Sequence, residues 1–141
     1  MTTTCRSAFR AAVLTALALS LAGCSIKMMA INSLGDALAS GSTSTFARDD
    51  DAELVRDAVP FALKTIESLI EQSPKHQGLL TAATSGFTQY GFAFIQQEAD
   101  FVEAQDLDRA TRMRARAKKL YLRAVDYGVR GLELDLPGFR E

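Results

Sequence analysis

The sequence has no tryptophan, a single histidine and two cysteines among 141 residues. One histidine cannot assemble a multi-histidine metal site, and two cysteines do not provide a zinc-finger or disulfide framework. With three prolines and nine glycines, the chain is neither collagen-like nor low in complexity. Charge of neither sign dominates. The net value is −1, which gives no bulk electrostatic case for nucleic acid. What is present is apolar side chain, 48% of residues against 23% charged, as in a globular chain long enough for one domain.

The apolar character is unevenly placed. Arg6 and Arg10 precede an apolar run from Ala11 to Leu21, too short to cross a bilayer. It ends in Leu21-Ala22-Gly23-Cys24, which resembles the bacterial lipobox. Residues 1–23 are therefore expected to be a lipoprotein signal peptide, with Cys24 the lipid-attachment site and new N-terminus. Cys5 leaves with the signal and Cys24 is consumed by lipid, so no disulfide is expected. Two or three acyl chains, at about 0.8 kcal/mol per buried CH₂, anchor a protein without a transmembrane helix. Ser25 follows the cysteine in place of Asp. By resemblance to Gram-negative sorting this implies an outer-membrane lipoprotein facing the periplasm. The remaining chain, 24–141, carries 14 Lys and Arg against 17 Asp and Glu.

The rest reads as helix, with no strand-like alternation. Residues 24–49 are expected to form a short helix, with Met29, Ile31, Leu34 and Leu38 on one face, followed by a Ser/Thr/Gly loop. Residues 50–141 are expected to form the main helical domain. Asp50 with Glu53 has capping-box spacing, and Leu54, Ala58, Phe61, Ile66, Leu69 and Ile70 continue an apolar stripe. Pro60 should kink this helix and Ser73-Pro74 should end it. A second helix is predicted from Gln77 to Glu103, with the stripe Leu80, Ala83, Phe87, Tyr90, Phe94 and Phe101. A third is predicted from Asp106, with Ala110, Met113, Ala117, Leu120, Ala124, Gly128 and Gly131 on one face, stopping at Leu134–Gly138.

Ala62, Ile66, Leu69 and Pro74 carry the spacing of a tetratricopeptide second helix, and Ala117, Tyr121 and Ala124 repeat it after an elongated interval. The fold class expected is all-α, of tetratricopeptide-like antiparallel hairpins or a related helical bundle. Ending after the third long helix, it reads as a truncated solenoid. An exposed apolar end over Leu120–Leu134 would then favour a homo-oligomer.

No catalytic constellation is visible, and no cofactor or metal is implied. His76 lies in a turn beside Pro74 and Lys75. The candidates for binding are of two kinds. Seven positive charges and no negative one fall between Arg109 and Arg123, and Arg112, Arg116 and Lys119 lie on its outer stripe. They read either as a contact surface for an anionic partner or lipid headgroup, or as a solvated face neutralised in part by Glu98, Asp100, Glu103, Asp106 and Asp108. Phe94 lies on the aromatic stripe and Phe92 beside it. They are candidates for a groove, with core packing as the alternative for the stripe.

Four segments resemble one family: Met29 to Leu38, Leu54 to Leu69, Ser85 to Asp100, and Leu120 to Leu132 with Pro137-Gly138-Phe139. They are similar to the TatT lipoproteins, the T component of tripartite ATP-independent periplasmic (TRAP) transporters. The resemblance implies a tetratricopeptide-like periplasmic accessory lipoprotein that is not an enzyme. It implies a TRAP solute-binding protein as partner and a ligand that is passed or stored. Members of that family are roughly twice as long. A structural envelope lipoprotein with no small ligand is the other expectation.

Overall fold

A computed structural model describes residues 26–40, 46 and 48–139, which form helices joined by short turns, with no strand among them. The proposed signal and Cys24 lie outside them. Helix α1 covers 26–40. It is followed by α2 (Ala52–Gln72), α3 (Gln77–Tyr90), a π-helical turn (Gly91–Gln96), α4 (Gln97–Val102) and α5 (Leu107–Asp135). The segments from α3 to α4 run without interruption and form the central element.

The helix boundaries follow local chemistry. Asp51 caps α2 by accepting from the Glu53 and Leu54 amides, one residue after the expected Asp50. The α2 helix continues through Pro60 and stops at Ser73. His76 is the N-cap of α3, its Nδ1 accepting from the Leu79 amide. Asp106 caps α5 through the Arg109 amide, and the chain leaves α5 at Gly138, whose φ of 88° suits a residue without Cβ.

The core seam lies between α3 and α5. Ala110, Ala117, Ala124 and Gly131 are all buried and recur every seven residues, so α5 presents a narrow strip of small side chains. Leu80 and Phe87, both buried on α3, face it, Leu80 lying against Gly131 and the Phe87 ring stacking on Tyr127. The two helices run antiparallel. Gln77 bonds Asp135, Gly128 faces Thr84, Gly91 faces Tyr121, and Arg114 reaches Asp100. Helix α2 covers the other flank of α3 through Leu63, Ile66 and Ile70. There Gly86 matters, because a Cβ on it would sit 2.6 Å from Leu63 Cδ2. Helix α1 rests on the α2–α3 turn. Ser73 Oγ donates to Asn32 Oδ1, and the His76 Nε2 edge lies 3.2 Å from the Asn32 carbonyl.

The π-helical turn corrects the expected second helix. The Gln97 amide donates to the Phe92 carbonyl, five residues back, which inserts one extra residue into the turn. Beyond it the buried positions become Ile95 and Ala99 rather than Phe94 and Glu98. Phe101, expected on the apolar stripe, is 80% exposed for that reason. On α2 the inward face runs through Leu63, Ile66, Glu67 and Ile70, leaving Leu54 exposed and Phe61 80% exposed. On α1 it is Gly35 that is buried, while Met29 and Leu34 point outward. The α5 face is as expected.

Glu67 is the polar link between α2 and α5. Tyr127 Oη donates to its Oε1 at 2.8 Å, Lys64 Nζ donates to Oε2 at 2.6 Å, and the Arg123 guanidinium lies 3.5 Å away. Arg123 also stacks 5.3 Å from the Phe87 ring centre. Burial pushes the Glu67 carboxyl up. The hydrogen bonds from Lys64 and Tyr127, with the Arg123 charge, outweigh that and hold it below the usual carboxylate range. Burial and the Glu67 hydrogen bond together push the Tyr127 phenol up to about 12.

Two predictions follow from this packing. Replacing Ala124 by Leu should cost about 1–3 kcal/mol in urea unfolding, because the seam has no room for the added carbons. The same change at exposed Ala115 should stay within about 0.5 kcal/mol. Because the folded pKa of Glu67 is lowered, its contribution is complete above the unfolded value, about 4.3, and is lost as pH falls through the folded one. The stability of the native chain should therefore drop more steeply than that of Glu67→Gln below about pH 4.3. Equal slopes would show that the Glu67 carboxylate does not stabilise the α2–α5 contact.

Candidate functional site

Two features could serve recognition. The first is a cleft of about 210 Å³ between α2 and the α3–π segment. Val55, Val59 and Ala62 form one wall, and Ala82, Gly86, Ala93 and Phe94 the other, with Phe46 at the edge. It exists because small residues line α3 where α2 approaches. The π-helical turn then sends Phe94 to the cleft wall and Ile95 to the core. The polar groups of the lining are Ser85, Gln89 and Tyr90, and no lining residue is charged. Tyr90 packs against Phe94 with ring centres 5.5 Å apart.

The second feature is the basic part of α5. Arg109 pairs with Glu98, which also accepts from Arg56. Arg114 pairs with Asp100 and Glu103. The hydrogen bond from Arg114, reinforced by its charge, lowers the Glu103 carboxyl pKa. Arg114 in turn is held more firmly protonated by its hydrogen bonds to Glu103 and Asp100. Arg123 is turned toward Glu67. The expected neutralisation across the hairpin is thus real for Arg109 and Arg114. Arg112, Arg116, Lys118 and Lys119 are exposed and make no ion pair among the described residues.

The sequence candidates separate between these features. Phe94 lines the cleft. Phe92 does not, and stands exposed on the π-helical turn, close to the level of Leu120 and Tyr121. Arg112, Arg116 and Lys119 share the outer stripe of α5. Tyr90, on the same aromatic stripe as Phe94, also lines the cleft, whereas the cleft residues Ser85 and Gly86 were not among the groove candidates. Their one sequence signal is the cluster of small residues Ala82, Ala83, Ser85 and Gly86 in the middle of the helix. Of the stretch Leu120–Leu134, Leu120 is partly buried, while Leu122, Val125 and Leu132 are exposed on the flank opposite Arg123 and Tyr127.

His76 holds α1 against the helical body and is the N-cap of α3, so its position is structural. Tyr121 is partly buried. Its hydroxyl donates to Gln96 Oε1 at 2.6 Å, and its ring rests against Gly91. Burial first, and then the Asp100 charge, raise its pKa.

These features define a helical-hairpin protein with an apolar cleft and a basic helix end. The family model described as "TRAP transporter T-component" matches residues 48–141. The chain belongs to that family. It is also 34% identical over 131 residues to an uncharacterized protein of Treponema pallidum (strain Nichols), covering 84% of this chain. It spans 41% of that relative's length. No solved structure matches the chain. No described helix is long and apolar enough to cross a membrane.

Proposed function

We propose that the protein is a periplasm-facing accessory lipoprotein of a TRAP transporter, anchored in the outer membrane through Cys24. In this reading its basic helix end docks the transporter's solute-binding protein. The observation that carries the docking surface is the pair of opposite ends on α5. Helix α1, which follows the anchor, meets the body at Ser73 and His76. That end is joined to the last turn of α5 by Gln77 donating to Asp135. Arg112 lies 23 residues earlier on α5, about 35 Å away at 1.5 Å per residue. Its unpaired charge, with Arg116 and Lys119, therefore points away from the anchored end. Phe92 offers an exposed apolar anchor near the level of Lys119 along the hairpin. A soluble partner with an acidic surface fits this end, and charge complementarity of that kind mainly raises the association rate. No catalytic role is part of the proposal.

The cognate solute-binding protein should bind the native chain with an affinity that falls as salt rises from about 50 to 300 mM, since exposed pairs are screened within about 10 Å at 0.1 M. The triple variant Arg112→Glu, Arg116→Glu, Lys119→Glu should bind at least about tenfold more weakly, a loss of about 1.4 kcal/mol. Undiminished binding by that variant in calorimetric titration would rule out the basic end. Cys24→Ser should release the protein from the membrane fraction. A Ser variant that stays with outer membrane after a high-salt wash would refute the lipid anchor.

A further inference from the structure

We infer that the α2–α3 cleft is a binding site for a small uncharged amphiphile, a molecule with an apolar body and one neutral hydrogen-bonding head. Such a site would exist whether or not the chain serves a transporter.

The lining is the first observation. Val59, Ala62, Ala82, Ala93 and Phe94 offer carbon on both walls, and none of the lining residues carries a charge. An ionised carboxylate or ammonium placed there would lose its hydration with no counter-ion to replace it, a loss that apolar contact does not offset. An apolar body loses nothing by entering.

The second observation is Tyr90. The residue is only 8% exposed, yet its hydroxyl makes no hydrogen bond to any described residue. It is not sealed away either, because no side-chain oxygen among the described residues is both fully buried and unpartnered. A tyrosine this deeply buried generally finds a partner for its hydroxyl. Here the ring packs at a tilt against Phe94 and the side chain lines the cleft, so the hydroxyl is left to meet whatever occupies it. Ser85 and Gln89, on the same helix, also lack a partner for their side-chain polar groups among the described residues. Three neutral groups able to donate or accept, on one wall of an apolar cleft, select a neutral polar head.

Size narrows the class. An engineered apolar cavity of about 150 Å³ holds benzene, so a cleft of about 210 Å³ suits a ligand of roughly seven to ten non-hydrogen atoms. Short-chain alcohols and alkylphenols have that size and chemistry. Longer lipids fit only if part of the chain remains outside.

The test uses 1-hexanol, sodium hexanoate and hexane as probes. They are titrated into the full 141-residue chain carrying Cys24→Ser and labelled at the alanine methyls. Hexanol should shift the Ala62, Ala82 and Ala93 methyl resonances in a saturable way while leaving Ala115 unmoved. Hexanoate at pH 7 should bind at least tenfold more weakly. Tyr90→Phe removes a hydroxyl that has no partner among the described residues, so its urea midpoint should match that of the parent. It should weaken hexanol about fivefold and leave hexane unchanged. Ala93→Leu, at an exposed rim position, should abolish binding of both. Three results would overturn the inference: no saturable shift with hexanol, hexanoate binding as tightly as hexanol, or Tyr90→Phe leaving hexanol affinity unaltered. An empty result with hexanol would also follow if a neighbouring chain segment fills the cleft, and it would equally refute the site.

Discussion

The close approach of α5 to α3 is the constraint on which the rest of the structure depends. Helices pack with axes about 8–10 Å apart, and the lower end of that range needs small residues at the contact. Ala110, Ala117, Ala124 and Gly131 supply them at every second turn of α5. With that seam closed, Tyr127 comes within reach of Glu67, and α2 is fixed relative to α5 as well as to α3. Gly91 takes the Tyr121 ring against its backbone, and Gly128 takes Thr84. Larger residues along this line would separate the helices and with them the polar link through Glu67.

The π-helical turn is the second determinant. Its extra residue rotates everything after Gly91 relative to a continuous α-helix. Ile95 and Ala99 thereby enter the core, and Phe94 is left for the cleft. One backbone irregularity thus serves two neighbours, since α5 gains its facing side chains and the space beside α2 gains an aromatic wall. π-Helical turns are often found at functional sites, and this one borders the cleft while carrying Phe92 outward.

Much of this was legible in the sequence, and the failures have specific causes. The α5 face, its Asp106 cap and the stop at Ser73 follow from periodicity and capping chemistry that act within one helix. Phe101 was misplaced because a 3.6-residue period was carried through a turn whose hydrogen bonds skip five residues. Phe61 was misplaced because α2 has apolar side chains on more than one face, and only contact with α3 decides which is buried. The cleft is a gap between two helices and leaves little trace in either one. Its depth depends on Gly86 meeting Leu63, residues 23 apart in sequence. The basic stripe was visible, but not which of its members Glu98, Asp100, Glu103 and Glu67 occupy.

The account assigns different work to the two ends of α5. The end near Asp135 is joined to the α2–α3 turn on which α1 rests, and the end near Arg112 is left with positive charge that makes no ion pair among the described residues. Amide hydrogen exchange of the chain with and without the solute-binding protein proposed as its partner tests that division most directly. The account predicts added protection between Arg109 and Arg123 and around Phe92, with none at residues 73–79 or 131–135. Protection confined to residues 73–79 and 131–135, with Arg109–Arg123 unchanged, would contradict it.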